Sequence, residues 1–180
     1  LIDLLEAGKQ DTPKYQKLCQ AAELKREKKK LKQCELAYGM LERIAEQAGL
    51  RKIMLGIEIR ESLEEIPIDT DWDFFFQRFD DPNICYWHDI GHAQIKENLG
   101  FIHHRLHLES MAGRLGGFHL HDVQFPARDH RPPGRGMIDF EGLKHTVKPE
   151  HIKVFELSPS LKADEAQEGV THLKSIWGED

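Results

Sequence analysis

Four residues with metal-ligand chemistry stand at corresponding places in four short apolar runs: Glu58 in KIMLGIEI (52–59), Asp89 in NICYWHDI (83–90), His121 in GFHLHDV (117–123) and Glu156 in HIKVFELS (151–158). Side chains alternate along a strand. Glu58 therefore shares a face with Met54 and Gly56, Asp89 with Cys85 and Trp87, His121 with His119, and Glu156 with Ile152 and Val154. A carboxylate closing an otherwise apolar strand face is costly to bury without a partner. One such residue reads as a solvated strand end; four in succession form a pattern. Three carboxylates and an imidazole gathered at one point raise one another's pKa values unless a cation sits among them. A divalent ion removes the conflict. Oxygen-rich ligation with a single histidine suits Mn²⁺ first and Mg²⁺ next, with Zn²⁺, Fe²⁺ and Co²⁺ left open. His92, in the DIGH that starts at Asp89, lies just past its strand, within reach of a bound substrate.

The elements that must position these groups follow a regular rhythm. Each apolar run is rich in Ile, Val, Phe or Tyr and is followed by a helical pattern. WDFFFQRF (72–79), with Asp71 as its cap, follows the first, and FIHHRLHLESMAGRL (101–115), stopping at Gly116, follows the second. DFEGLKHTV follows the third and ADEAQEGVTHLKSIW the fourth. A strand about every 33 residues, alternating with helices, predicts βα units on a parallel sheet. Active sites of such proteins lie at the C-terminal ends of the strands, where the four residues fall.

Residues 1–49 read as a helical segment and 50–180 as four βα units carrying the metal site. Thr12 and Pro13 supply an N-cap and first helical position. Cys34, Ala37, Leu41, Ile44 and Ala48 form an apolar stripe that Gly49 ends. The run LKREKKK (24–30) lacks that stripe and reads as a solvated helical projection, with a nucleic-acid arm as the alternative. The 180 residues are enough for one core, and a 39% apolar, 31% charged composition leaves no room for a membrane span. A net charge of −6 argues against nucleic acid as a general partner. Cys19, Cys34 and Cys85 are odd in number and far apart, as reduced thiols of a cytoplasmic protein would be. The chain opens at Leu1, so its targeting is not legible.

At GIEIRE, WHDIGHA, FHLHDV, RPPGRGMIDF and VFELSP, in that order, the sequence resembles the xylose isomerase-like TIM-barrel superfamily, specifically its sugar phosphate isomerase/epimerase group. The resemblance covers residues 50–177. It implies an α/β fold, the C-terminal half of a (β/α)₈ barrel, with one divalent ion held by Glu58, Asp89, His121 and Glu156. It also implies substrate contacts from His92, with Glu61 or Glu64 assisting, and a pocket wall at PPGRGMIDF. Two departures stand out. Such barrels need eight strands and about 250 residues, whereas four strands are legible here. A half barrel would expose strand edges and an apolar inner face, so a homo-oligomer or a separately supplied N-terminal half is expected. The second departure is His130, with Arg131 beside it, where sugar epimerases of the group often place a substrate-binding arginine. That position also resembles a metal-binding histidine of endonuclease IV, but Arg128 replaces the aspartate of its D-x-H pair, which argues against a trinuclear zinc site.

The implied reaction is isomerisation or epimerisation of a sugar, sugar phosphate or sugar-like polyol. The ion polarises a carbonyl, and Glu58 and Glu156 remove and return a proton through an enediolate, with His92 in support. His119, His130, Arg131 and Trp87 are the further substrate-side candidates, Trp87 having core filling as its other reading. Two other functions compete. One is a non-catalytic half-barrel assembly module that keeps the metal site. The other is an endonuclease IV-like phosphodiesterase, which needs more histidine ligands and a basic rim. His103, His104 and His107 are expected at a helix surface. Trp72 and the phenylalanines after it are expected to pack a helix on the sheet, and Trp177 to dock one.

Overall fold

The β-branched and aromatic runs become strands in the computed structural model, which describes residues 1–68 and 71–178. The strands are β1 (Leu55–Glu58), β2 (Ile84–Asp89), β3 (Leu115–Leu120), β4 (Asp122–Gln124), β5 (Arg128–Arg131) and β6 (Ile152–Phe155). The helices are α1 (Ile2–Glu6), α2 (Pro13–Leu50), α3 (Trp72–Phe76), α4 (Ile90–Asn98), α5 (His104–Met111), α6 (Phe140–Leu143) and α7 (Ala163–Trp177). β1, β2, β3 and β6 form one parallel sheet in that order. The chain is thus a run of four βα units, half of an eight-stranded barrel. β4 and β5 form a separate antiparallel hairpin.

The two sheet faces differ sharply. On the outer face, Ile57, Ile84, Tyr86, Phe118 and Leu120 are buried under the helices, together with Trp72, Phe75, Leu108 and Leu173. Trp177 closes one end of this core, its indole N–H donating to the Phe140 carbonyl at 3.0 Å. The inner face is open: Met54, Ile152 and Val154 are 42%, 47% and 42% exposed. β1 and β6 each pair on one side only among the described residues. No described helix is long and apolar enough to cross a membrane.

Several local expectations change. Thr12 caps α2 through the Tyr15 N–H, but the helix runs to Leu50, past Gly49, and Lys52 takes the left-handed turn at φ 55°. Ile44 of the expected stripe is exposed, whereas Cys34 and Ala48 are buried. The charged run 24–30 is not all solvated. Arg26 is buried, ion-paired with Asp71, and donates to the Leu63 and Glu65 carbonyls at 2.9 and 3.2 Å. Asp71 is therefore a partner for Arg26, joined by Lys30 at 3.4 Å, and its side chain does not cap α3. The helix after β2 is α4, begun by IGHAQIKEN, with α5 beyond it. His103, just ahead of α5, is exposed, but His104 and His107 on the helix are buried. They fill the space over β2, where Tyr86 Oη lies 2.9 Å from His107 Nε2 and His88 Nε2 lies 3.0 Å from His104 Nε2.

Candidate metal centre at the sheet rim

Parallel register brings the chemistry together. Glu58 pairs with Trp87, Asp89 with His119, and His119 with Val154 across the sheet. This stagger sets His119, two residues before His121, level with Asp89. Its Nδ1 stands 2.7 Å from Glu58 Oε1, 3.0 Å from Glu156 Oε2 and 3.5 Å from Asp89 Oδ2. Ligand atoms of Glu58, Asp89, His119 and Glu156 all lie within 4.8 Å of one another, a group able to hold a metal ion. The structure thus gathers three of the four strand-end residues named above, and the histidine standing among them is His119 where the spacing points to His121.

His121 is one step away. Wholly buried, it sits in the break between β3 and β4, with Nε2 3.0 Å from Asp89 Oδ1. Its Nδ1 accepts the His130 N–H at 2.9 Å, and the two imidazoles stack at 4.5 Å. His130 holds φ 54°, a left-handed conformation that non-glycine residues adopt at a cost. Its ring faces Asp129 Oδ1 at 3.0 Å and Glu156 Oε1 at 3.6 Å. Asp89 also caps α4 by accepting the His92 N–H at 2.8 Å, so one carboxylate fixes both the helix start and the rim.

Electrostatics identifies what the rim wants. Burial alone would raise the Asp89 pKa, but the nearby His119 ring, the hydrogen bond with His121 and the charge of the imidazoles around it hold it well below the carboxylate range. The Asp89 carboxylate beside it, opposed by partial burial and aided by Glu58 and Glu156, raises His119 to about 9. His119 is then an imidazolium at neutral pH, the cation that three carboxylates require. Asp89 Oδ2 is buried without a hydrogen-bond partner among the described atoms; the Nδ1 atoms of His92 and His119 stand 3.5 Å off. Three carboxylates, imidazoles and an orphaned buried oxygen fit a divalent ion.

The remaining candidates lie around this centre. Trp87 is half-buried on the inner face, its ring edge-on to His119 at 5.3 Å. His92 is buried at the start of α4. Arg131 is half-buried in β5, and its Nε has no hydrogen-bond partner among the described atoms. Two supporting residues were not read from sequence. Arg60 Nη1 donates to Glu58 Oε2 at 2.6 Å, holding the carboxylate that also meets His119. The Asp122 carboxylate accepts the N–H groups of Gly134, Gly136 and Ile138 at 2.9, 2.8 and 3.1 Å, tying the glycine turn to the hairpin. The only sequence signal for Asp122 is its place beside His121 and ahead of a Pro-Gly turn.

A family model described as xylose isomerase-like TIM barrel matches residues 13–176. No curated protein sequence matches the chain. Among solved structures, the fold is similar to that of a D-tagatose 3-epimerase-like protein, with a TM-score of 0.68 and 19% identity over 81% of this chain and 54% of that one. It is also similar to D-psicose 3-epimerase from Clostridium cellulolyticum H10, at a TM-score of 0.64 and 16% identity over 82% and 57% of the two chains. An L-ribulose 3-epimerase gives a TM-score of 0.57 and 22% identity over 81% and 46%. The chain spans about half the length of these structures. At such identities the likeness is one of fold.

Proposed function

The chain belongs to the xylose isomerase-like TIM barrel family, and on that premise we propose that it carries the ion site and both proton-transfer carboxylates of a divalent-metal-dependent sugar isomerase or epimerase. The supporting observation is one imidazolium nitrogen, His119 Nδ1, facing Glu58, Asp89 and Glu156 beside a buried carboxylate oxygen that lacks a donor. Glu58, Asp89, His121 and Glu156 would hold the ion, with Mn²⁺ the best fit to oxygen-rich ligation. When bound, the ion supplies Lewis-acid polarisation of a substrate carbonyl.

The protein's own groups do the rest. Glu58 and Glu156 flank His119 from β1 and from the end of β6, so they address a substrate from two sides. One carboxylate removes the proton on the carbon beside the carbonyl and the other returns it. Return to the same carbon on its opposite face epimerises; return to the neighbouring carbon isomerises. His119 is the resident cation in this reading. With an ion bound, His119 would contact substrate oxygens, together with His92, His130 and Arg131, while Trp87 would wall the site. The substrate class is a ketose such as D-tagatose, D-psicose or L-ribulose, the sugars named for the similar structures.

The test is turnover of these ketoses by the Mn²⁺-loaded chain and by Glu58→Gln. The variant is expected to keep its circular dichroism and lose turnover; unchanged activity removes Glu58 from the mechanism. His121→Gln is expected to lose Mn²⁺ binding and His119→Gln to retain it. The reverse result gives the nitrogen ligand to His119. One observation favours a second reading, a metal-binding assembly module without activity of its own: the exposed Met54, Ile152 and Val154 on the open inner face. Mn²⁺ binding and self-association without turnover would select it.

A further inference from the structure

Charge is unevenly placed along the chain. Residues 13–33 hold eight lysines and arginines against two glutamates, in a chain whose net charge is −6. Such asymmetry is a signature of contact with an anionic surface. These residues form the first half of α2, and the helix sorts them by direction. Arg26 is buried and Lys30 half-buried, both turned to Asp71, and Glu27 pairs with Lys30 at 2.7 Å. The Asp71 contact pins α2 to the body of the fold and sets which way its other side looks.

On that other side, Lys14, Lys17, Lys25, Lys28 and Lys32 fall within an arc of about 80° at about 3.6 residues per turn, along about 27 Å of helix. All five are exposed, and among the described residues no ion pair reaches their amines. Leu24 and Leu31, 63% and 64% exposed, run along one border of the strip. Glu23 and Glu27, the acidic residues of the segment, point at least about 80° away from the nearest of these lysines. Lys25 and Lys28 stand at i,i+3 and Lys28 and Lys32 at i,i+4, where like charges repel and weaken a helix. Lysines alone would make a solvated face. Leucines beside them leave apolar surface in water that nothing described in this chain covers.

We infer that this face of α2 is a docking strip for the surface of an anionic lipid bilayer. The amines meet lipid phosphates and carboxylates, while the lysine stems and the two leucines enter the boundary between headgroups and acyl chains. The leucines distinguish this partner from other polyanions. A nucleic-acid backbone rewards the amines but leaves Leu24 and Leu31 in water, and the strip presents no arginine or aromatic ring to a base. The contact is peripheral, since no described helix is long and apolar enough to cross a membrane. The strip shares no residue with the rim centre and does not depend on its chemistry.

Co-sedimentation of the 180-residue chain with lipid vesicles tests the strip. Binding is expected with vesicles of phosphatidylcholine and phosphatidylserine, is expected to be absent with phosphatidylcholine alone, and should weaken as salt rises. Lys25→Gln, Lys28→Gln and Lys32→Gln together should cut the affinity by at least ~10-fold, each lysine near such a surface being worth about fivefold. Leu24→Ser with Leu31→Ser should cut it by at least ~3-fold and keep the salt dependence. Circular dichroism checks each fold, arginine at the three lysine positions should retain binding, and the leucine pair decides alone if the lysine set does not fold. Failure to bind the phosphatidylserine vesicles overturns the strip, as does binding that either set leaves unchanged. Binding to duplex DNA at least as tight as to the vesicles, and indifferent to the leucine pair, overturns the lipid assignment in favour of nucleic acid.

Discussion

On the inner face of the sheet His119 stands among three carboxylates, and their hydrogen bonds and charge raise it to about 9. On the outer face His104 stands in dry packing beside His88 and His107, and burial followed by the neighbouring imidazole lowers it to about 3. His88 is pushed down by the same causes. The two clusters are only a sheet's thickness apart, and both are knitted by contacts near 3 Å. His119 is prepared to be positive, and His104 and His88 to stay neutral. What separates them is the sign of the partners and the access to water. A histidine count alone carries no functional information.

The most severe way to break this contrast is Asp89→Asn, which removes the carboxylate shared by His92, His119 and His121. Affinity for Mn²⁺, measured by calorimetry, is expected to fall by at least ~100-fold. His104→Leu, on the other face, should leave that affinity within about twofold.

Acid and base should separate the clusters next. In the metal-stripped chain, His119 contributes stability that is complete below its unfolded pKa of about 6.5 and is lost as pH rises through about 9. His104 contributes in the opposite sense: its stability is present above about 6.5 and lost as pH falls towards about 3. Melting temperature against pH should therefore decline on both sides of neutrality. His119→Gln should flatten the alkaline limb and leave the acid limb in place; loss of both limbs would show the clusters to be one system.

Smaller effects sharpen the picture. His104→Leu leaves His88 Nε2 and Gln94 Oε1 without their partner, a cost of about 1–3 kcal/mol in urea unfolding. Gly91→Ala tests the rim's packing, because an added Cβ would meet His121 Cε1 at 2.0 Å. Overpacking of about 1–3 kcal/mol outweighs the gain of up to about 1 kcal/mol that alanine brings to a helix. Net destabilisation with weaker Mn²⁺ binding is expected, and a more stable variant would mean that His121 moves freely. Exposed His103→Gln should change stability by less than about 0.5 kcal/mol.

The parallel strands were legible because runs such as ICYW and IKVF declare themselves by residue type, and the strand-end carboxylates by their place in those runs. Less local features were not. The second strand of the β4–β5 hairpin is RDHR, too polar to stand out as strand. Arg26 looked solvated because its partner Asp71 is 45 residues away, and no periodicity reports a long-range ion pair. His104 and His107 looked like surface residues because a polar ring on a helix is ambiguous until the buried His88 and Tyr86 are seen beneath it. Alternation placed His119 and His121 on one face but could not say which stands level with Asp89; inter-strand stagger decides that, and no single strand encodes it.

Asp122 has an implication for redesign. Its two oxygens gather the far end of the glycine turn, while residues 125–131 between the anchor points present Asp129, His130 and Arg131 over the rim. Asp122 clips the base of the segment, while the β4–β5 pairing, the His130 N–H bond to His121 and the Asn98 bond to the Pro126 carbonyl tie its length to the frame. A graft between Gln124 and Pro132 therefore exchanges what the mouth selects only if it preserves the backbone bonds at 126 and 130 that steady Asn98 and His121.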